Sequence, residues 1–339
     1  MKINKPWGIA LSIMGCFLVV YVCTFIGITN IPFQEANRIL FHHIFGGDMS
    51  GYDAGQVAIL WDVRLPRVVL AFLCGGALGI CGAVFQGVFK NPMADPYILG
   101  VSSGAAFGAA IGIVMHVNTG FLGVGSTAIL ALVGALVTIF MVYNISRVGR
   151  RVPVATLLLS GIAVGQTLSA LMSLLMIFNL ESMNKIMFWT MGSFNGSTWI
   201  EVGVLVPFVL VGLLGILTSL RELDILLLGE EAAMQLGVDT EKLKRKLLIL
   251  SSVLTAVVVA MTGIIGFVGL VIPHMVRLVT GPKNRFLVPT AFIVGGGFLV
   301  VCDTLARSVL TSEIPVGIIT AAFGGPFFIY LLKKQKRGA

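Results

Sequence analysis

Gly100-Val101-Ser102-Ser103-Gly104 has the G-x-S-x-G spacing of an activated serine. Such a serine needs a strand before it to form a sharp elbow, and a histidine and an acid elsewhere to activate it. Here the surroundings are apolar and helical in period. Gly100, Gly104, Gly108 and Gly112 recur every fourth residue. They draw one smooth ridge along a helix and let a neighbouring helix approach closely, so the reading is packing rather than acyl chemistry. Gly75 and Gly79 do the same earlier in the chain. His42 and His43 are adjacent and point to different sides of a helix, a poor arrangement for a metal. Cys16, Cys23, Cys74, Cys81 and Cys302 lie in apolar runs without C-x-x-C or Cys/His spacing, and read as small buried residues. No G-x-x-x-x-G-K-[ST] occurs, so the chain has no P-loop of its own. No catalytic residue, metal or cofactor is expected.

The charged residues carry more information. Acids inside the apolar runs are nearly absent; Glu201 and Asp303 lie near their ends, and Asp303 and Arg307 have the i,i+4 spacing of a pair. Ion-coupled carriers build their relays from intramembrane ionisable groups, so a stand-alone secondary carrier is the weaker alternative. His274, after Pro273, reads as packed rather than pore-lining. Arg64 and Arg67 flank Leu65-Pro66 at the mouth of one apolar run, and Arg307 sits at the mouth of another. Guanidinium groups held there suit recognition of carboxylates on a docking partner. The competing reading is that they snorkel to lipid headgroups.

Leu223–Lys246 is the longest run that belongs in water. Glu230–Leu236 is rich in helix formers, Gly237 ends that turn, and Asp239 or Thr240 can cap a second helix. The spacing predicts two short helices joined at Gly237, with Leu228, Ala232, Met234 and Leu236 available to dock. This island is either a foothold for a partner or a solvated loop, and spacing alone supports both.

What positions these residues is membrane-spanning helix. Of 339 residues, 57% are hydrophobic and 11% charged, and mean hydropathy is +1.00. That is the membrane class, with no polar stretch long enough for a separate soluble domain, so residues 1–339 read as one transmembrane domain. The net charge of +8 does not imply nucleic acid, because the basic residues sit at span ends. The first apolar run continues to Ile28, too long for a signal peptide, and no A-x-A site follows it. Ten spans are predicted: Trp7–Ile28, Pro66–Phe89, Tyr97–Val117, Phe121–Tyr143, Val154–Phe178, Trp199–Leu220, Leu247–Ile264, Leu270–Val279 (short, broken by Pro273), Phe286–Leu305 and Pro315–Leu332. Ile31–Phe45 reads as an amphipathic surface helix and Asn179–Thr198 as a polar, aromatic loop. Pro66 is taken as the first turn of its helix, where its missing N–H is not needed. With both termini cytoplasmic, Lys and Arg split 18 inside to 5 outside, as the positive-inside rule requires. That orientation puts Leu223–Lys246 in the cytoplasm.

The chain resembles the integral-membrane permeases of the iron-siderophore/cobalamin/haem ABC importers, the type II importers. The most specific residues run from Arg64-Leu-Pro-Arg67 through Gly82-Ala-Val-Phe-Gln86 and Asn91-Pro-Met-Ala-Asp-Pro96 to Leu99-Gly-Val-Ser-Ser-Gly-Ala105. Phe188-Trp-Thr-Met-Gly-Ser193, Gly266-Phe-Val-Gly-Leu-Val-Ile-Pro-His274, Asp303-Thr-Leu-Ala-Arg307 and Glu313-Ile-Pro-Val-Gly317 extend the likeness almost end to end. Glu231-Ala-Ala-Met-Gln-Leu-Gly237 resembles the E-A-A-x-x-x-G coupling signature of importer permeases. The resemblance implies an all-α, multi-pass protein of the cytoplasmic membrane with about ten helices. It implies a second permease subunit, identical or paralogous, two cytoplasmic ATPase subunits and an extracytoplasmic substrate-binding protein. It assigns Arg64, Arg67 and Arg307 to binding-protein docking. It assigns Glu230, Glu231, Ala232, Ala233, Leu236 and Gly237 to ATPase coupling. It assigns Asn91, Met93, Arg150, Arg151, Val152, Pro153 and Val154 to a cytoplasmic gate. Met93 stands where leucine is common, a volume-conserving change. A ferric siderophore is the expected cargo by family frequency, with cobalamin and haem as alternatives.

Overall fold

Inside a bilayer the backbone finds no water to bond, so an apolar run closes its hydrogen bonds as a helix. The computed structural model describes residues 5–27, 29, 31–47, 51–116, 124–149, 152–309 and 312–336. Its α-helices are α1 (Lys5–Phe25), α2 (Phe33–Phe45), α3 (Ala54–Ala58), α4 (Leu65–Val88), α5 (Val101–Val114), α6 (Ser126–Ser146), α7 (Val154–Phe178), α8 (Leu180–Thr190), α9 (Trp199–Leu217), α10 (Leu220–Leu226), α11 (Glu230–Gln235), α12 (Thr240–Thr262), α13 (Val268–Thr280), α14 (Asn284–Ser308) and α15 (Val316–Lys336). Six helical stretches are long and apolar enough to cross a membrane, and four shorter apolar ones, in α1, α5, α13 and α15, complete the set among the described residues.

The centre is α4, buried along almost its whole length and packed against α14, α13, α12 and α9. Small residues make this possible. A Cβ on Gly295 would lie 2.5 Å from the Gly75 carbonyl oxygen, and one on Gly79 would lie 2.6 Å from that of Ala291. Backbones therefore touch where α4 crosses α14, which is how helices gain contact area without a hydrophobic drive between them. On α5, Gly104 meets α6 in the same way: its Cβ would stand 2.7 Å from the Gly134 carbonyl oxygen. Gly108 and Gly112 also face α6, while Gly100 lies against Thr138 of α6 and Gly161 of α7.

Several elements differ from the sequence expectations. Asn179–Thr198 is not a loop throughout: it holds α8, with Ser182 and Ile186 buried. Apolar residues two per turn sufficed for a helix, but its polarity masked the period. The helix containing Pro66 does not begin there. It runs from Ala54, and a π-turn over Ile59–Arg64 lets the Leu65 N–H donate to the Leu60 carbonyl. The shifted register accommodates a proline inside a continuous helix. Pro273 likewise sits inside α13 rather than breaking it. At 13 residues α13 is only about 20 Å long. The segment between α12 and α13 is non-helical, and Ile265 within it is buried in protein, the setting in which irregular backbone survives at membrane depth. Finally, the helix capped by Asp239 is not a second short one; it is the first turn of the 23-residue α12. The start of the predicted span Phe121–Tyr143 lies outside the described residues.

Candidate coupling, gating and docking sites

The polar island folds as α10, a turn, α11, a second turn and the start of α12. Leu223 and Leu226 are fully buried and seat α10, with Leu223 against Gly87 of α4. Asp224 accepts from the Asn284 backbone N–H at 2.9 Å and from its side-chain amide at 2.8 Å, which pins α10 to the start of α14. Gly237, at φ 84°, makes the left-handed turn out of α11. Asp239 caps α12 through the Lys242 N–H at 3.1 Å, and hydrogen bonding from Lys242 holds its carboxyl below the usual range.

On α11, Glu230 and Glu231 occupy the first turn, where the helix dipole favours acids. Ala233 is buried and Ala232 half-buried, so the helix rests on the body by its small face. Its other side is bare: Met234 is 54% exposed and Leu236 62%, and Leu228 ahead of it is 70% exposed. This is an apolar knob on a water-facing segment, uncovered by this chain.

Lys244 links α11 to the rest. Its side chain is 8% exposed, and its ammonium reaches Glu230 at 3.2 Å and Glu241 at 2.6 Å. Glu241 in turn accepts from the Val152 backbone N–H at 3.4 Å. A chain of polar contacts thus runs from α11 through α12 to the loop before α7. Sequence reasoning missed Lys244 because it sits in a cluster of four cations. The signal was in the period: Thr240, Leu243, Lys244, Leu247, Leu248 and Ser251 share the buried face of α12.

Of the expected gate residues, Arg150 and Arg151 lie outside the described residues. Val152 and Val154 are half-buried and Pro153 exposed, at the entry to α7. Asn91 and Met93 are exposed in the turn after α4, where the Asn91 side-chain oxygen accepts from the Met93 N–H at 2.9 Å.

At the opposite end the three arginines are buried, and Arg67 and Arg307 share the acid Asp303. Arg64, Arg67 and Arg307 are 4–6% exposed. Arg67 is bidentate to Asp303, with contacts of 2.9–3.1 Å, and also reaches Glu313 at 2.9 Å. Arg307 donates to the Cys23 carbonyl at 2.7 Å and lies 3.9 Å from Asp303. The i,i+4 pair is therefore secondary: Asp303 belongs first to Arg67, a partner 236 residues away in sequence that no local spacing could indicate. Arg64 donates to the Phe25 carbonyl at 3.0 Å and to that of Thr29. Snorkelling is not what these side chains do, since each is folded inward onto protein acceptors. Ser102 is the second residue of α5, which follows a 3₁₀ turn, Pro96–Leu99, rather than a strand. No group of three His, Cys, Asp or Glu residues able to hold a metal occurs among the described residues.

Residues 15–334 match the FecCD transport family. The cobalamin import system permease protein BtuC of Halobacterium salinarum is 48% identical over 82% of this chain and 74% of that protein. The hemin transport system permease protein HmuU of Yersinia pestis is 38% identical over 82% of this chain and 84% of its own. A solved structure described as an inward-facing conformation of a metal-chelate type ABC transporter superposes with a TM-score of 0.82 at 31% identity, covering 97% of this chain and 98% of that one.

Proposed function

The chain belongs to the FecCD transport family, as a multi-pass membrane permease subunit of an ABC importer, and on that premise we propose that its cargo is a bulky metal chelate, a corrinoid of the cobalamin type. The observation that carries the cargo is the 48% identity to a permease named for cobalamin, against 38% to one named for hemin. This replaces the ferric siderophore expected from family frequency, which no relative described above is named for. The chemistry of the chain is compatible. Helix α7 carries no charged residue from Val154 to Phe178 and buries only Leu157, Gly161 and Gly165. A wide passage with weak, uncharged walls suits a large ligand better than a tight site does.

The motor is supplied in trans. ATPase subunits seat on α11, whose exposed Met234 and Leu236 provide the apolar contact and whose Glu230 and Glu231 provide charge. Movement of α11 passes through Lys244 and Glu241 to the loop at Val152, and so to the gate formed with Asn91 and Met93. Only contacts that differ between nucleotide states can do this work. On the other face, a substrate-binding protein docks over the Arg64, Arg67 and Arg307 cluster. Its carboxylates compete with Glu313, the half-exposed acid, for Arg67. A second permease subunit completes the passage.

The test of the cargo is uptake into proteoliposomes holding this chain, its ATPase and its binding protein. Cyanocobalamin should enter in an ATP-dependent manner and haem or a ferric siderophore should not. Uptake of a siderophore with cobalamin excluded would reverse the assignment.

A further inference from the structure

Two cavities adjoin at the cytoplasmic end of α6 and α12. The first, about 490 Å³, is polar, and Arg147, Lys242, Lys244 and Arg245 line it against two acids, Asp239 and Glu241. The second, about 300 Å³, is an apolar groove between the two helices, with Phe140 and Ile249 in its walls. Tyr143 and Leu248 line both, so the polar mouth sits directly above the groove. Lys242 and Lys244 are engaged by carboxylates of this chain. Arg245 is exposed and makes no direct ion pair among the described residues, its charge acting on Asp239 only at longer range, and Arg147 donates to the Gly149 carbonyl of its own loop at 2.8 Å. Both acids contact lysines, and four cations against two acids leave the mouth cationic.

The level of this site in the membrane is set by sequence. On α12 the last charge is Lys246, and the apolar run begins at Leu247; on α6 the apolar run ends at Ser146, just before Arg147. The mouth therefore lies where headgroups meet hydrocarbon. In the groove wall Phe140 is 70% and Ile249 49% exposed, so it opens outward.

We propose that this paired cavity is a binding site for one anionic phospholipid of the inner leaflet, its phosphate between Arg147 and Arg245 and an acyl chain in the groove beside Phe140 and Ile249. Guanidinium groups bind phosphate oxygens in paired hydrogen bonds. Basic pockets between transmembrane helices on the cytoplasmic side select acidic headgroups. A free phosphate would fill the mouth and leave the groove empty; a lipid fills both. Because Val152 and Glu241 also line the mouth, the lipid would sit against the contact that joins α12 to the loop before α7. This last point alone rests on the coupling route proposed above; the site itself does not.

The experiment is native mass spectrometry of the full chain, purified with its ATPase in mild detergent and offered equal amounts of phosphatidylglycerol and phosphatidylcholine. Phosphatidylglycerol should be retained in preference. Arg147→Gln and Arg245→Gln should each lower that retention about fivefold. Ile249→Trp, which fills the groove from an exposed position, should lower retention of long-chain phosphatidylglycerol while sparing its dihexanoyl form. Equal retention of the two lipids by the unmodified protein overturns the proposal. Displacement by inorganic phosphate as effective as by lipid makes it an anion site and overturns the lipid. Efficient F140C disulfide cross-linking between two copies would mean that a second subunit covers the groove, and overturns it as well.

Discussion

Lys244 on α12 lies 3.2 Å from Glu230, the first residue of α11, and the same ammonium holds Glu241 at 2.6 Å. A nearly buried cation therefore fixes a water-facing helix whose outer face this chain leaves bare, and it does so from the helix that also contacts the loop before α7. If that linkage transmits movement, Lys244→Met should keep the stem volume and lose the tether. A hydrogen-bonded charge of this kind contributes roughly 1–3 kcal/mol. Cargo delivered per ATP hydrolysed should fall on the order of tenfold, with Lys244→Arg recovering part of it. A lower melting temperature with an unchanged transport-to-hydrolysis ratio would reduce Lys244 to a structural role.

The outer cluster makes a different prediction. Arg67 and Asp303 are both buried and bidentate, and removing one partner strands the other's charge. Arg67→Ala or Asp303→Ala should each cost about 3–5 kcal/mol, whereas a double replacement by Met and Leu should cost far less. Thermal melts of the three variants in detergent check this. Additive losses would mean that the pair is not coupled. Glu313→Gln, which weakens the more exposed acceptor and frees the Arg67 guanidinium to donate elsewhere, should instead strengthen binding-protein docking at low salt and leave the melt nearly unchanged.

Helix contacts through glycine give a third test. Gly104→Ala pushes a methyl group into α6 beside Thr138 and the Gly134 carbonyl, and should destabilise by roughly 1–3 kcal/mol. Gly203→Ala on α9 meets nothing within 4 Å and should be neutral or stabilising by up to about 1 kcal/mol. Equal melting temperatures for the two variants would contradict the packing.

How much of this the sequence disclosed depended on range. The bounds of α7 and the cap at Asp239 were legible, since apolar length and a capping residue are local signals. The glycine spacing showed a ridge but not which helix it meets. Pro66 and Pro273 misled, because a π-turn carries the helix into Pro66 and α13 continues through a buried Pro273, where the local rule expects a boundary. The Arg67–Asp303 pair was invisible beside the nearer Asp303–Arg307 spacing, because proximity in sequence says nothing about a contact made between α4 and α14. The burial of Lys244 was readable in the period of α12, yet four clustered cations looked like a solvated face.

Asp95 adds a pH dependence. It lies in the turn between α4 and α5, half-buried, and accepts from the Tyr97 N–H at 2.8 Å. Burial pushes its carboxyl from the ordinary 3.8 up to about 6, against the pull of that N–H. The folded value lies above the unfolded one, so folding favours the protonated form. The cost is absent below about pH 4, grows as pH rises to about 6 and is constant beyond. Asp95→Asn keeps the capping oxygen and removes the charge. It should raise stability at pH 7.5 by on the order of 1–3 kcal/mol and have little effect at pH 4. Equal effects at both would contradict a buried ionisation.

The central claim is that this chain has no motor and takes one through α11. The most direct measurement is ATP-driven cobalamin uptake in proteoliposomes carrying the unmodified chain or its Met234→Glu/Leu236→Glu variant, with and without the ATPase subunits. The exposed positions of both residues leave the fold intact. The account predicts uptake only when ATPase and unmodified α11 are both present, and loss of ATPase co-purification in the variant. Sustained uptake without the ATPase, or full coupling in the variant, would contradict it.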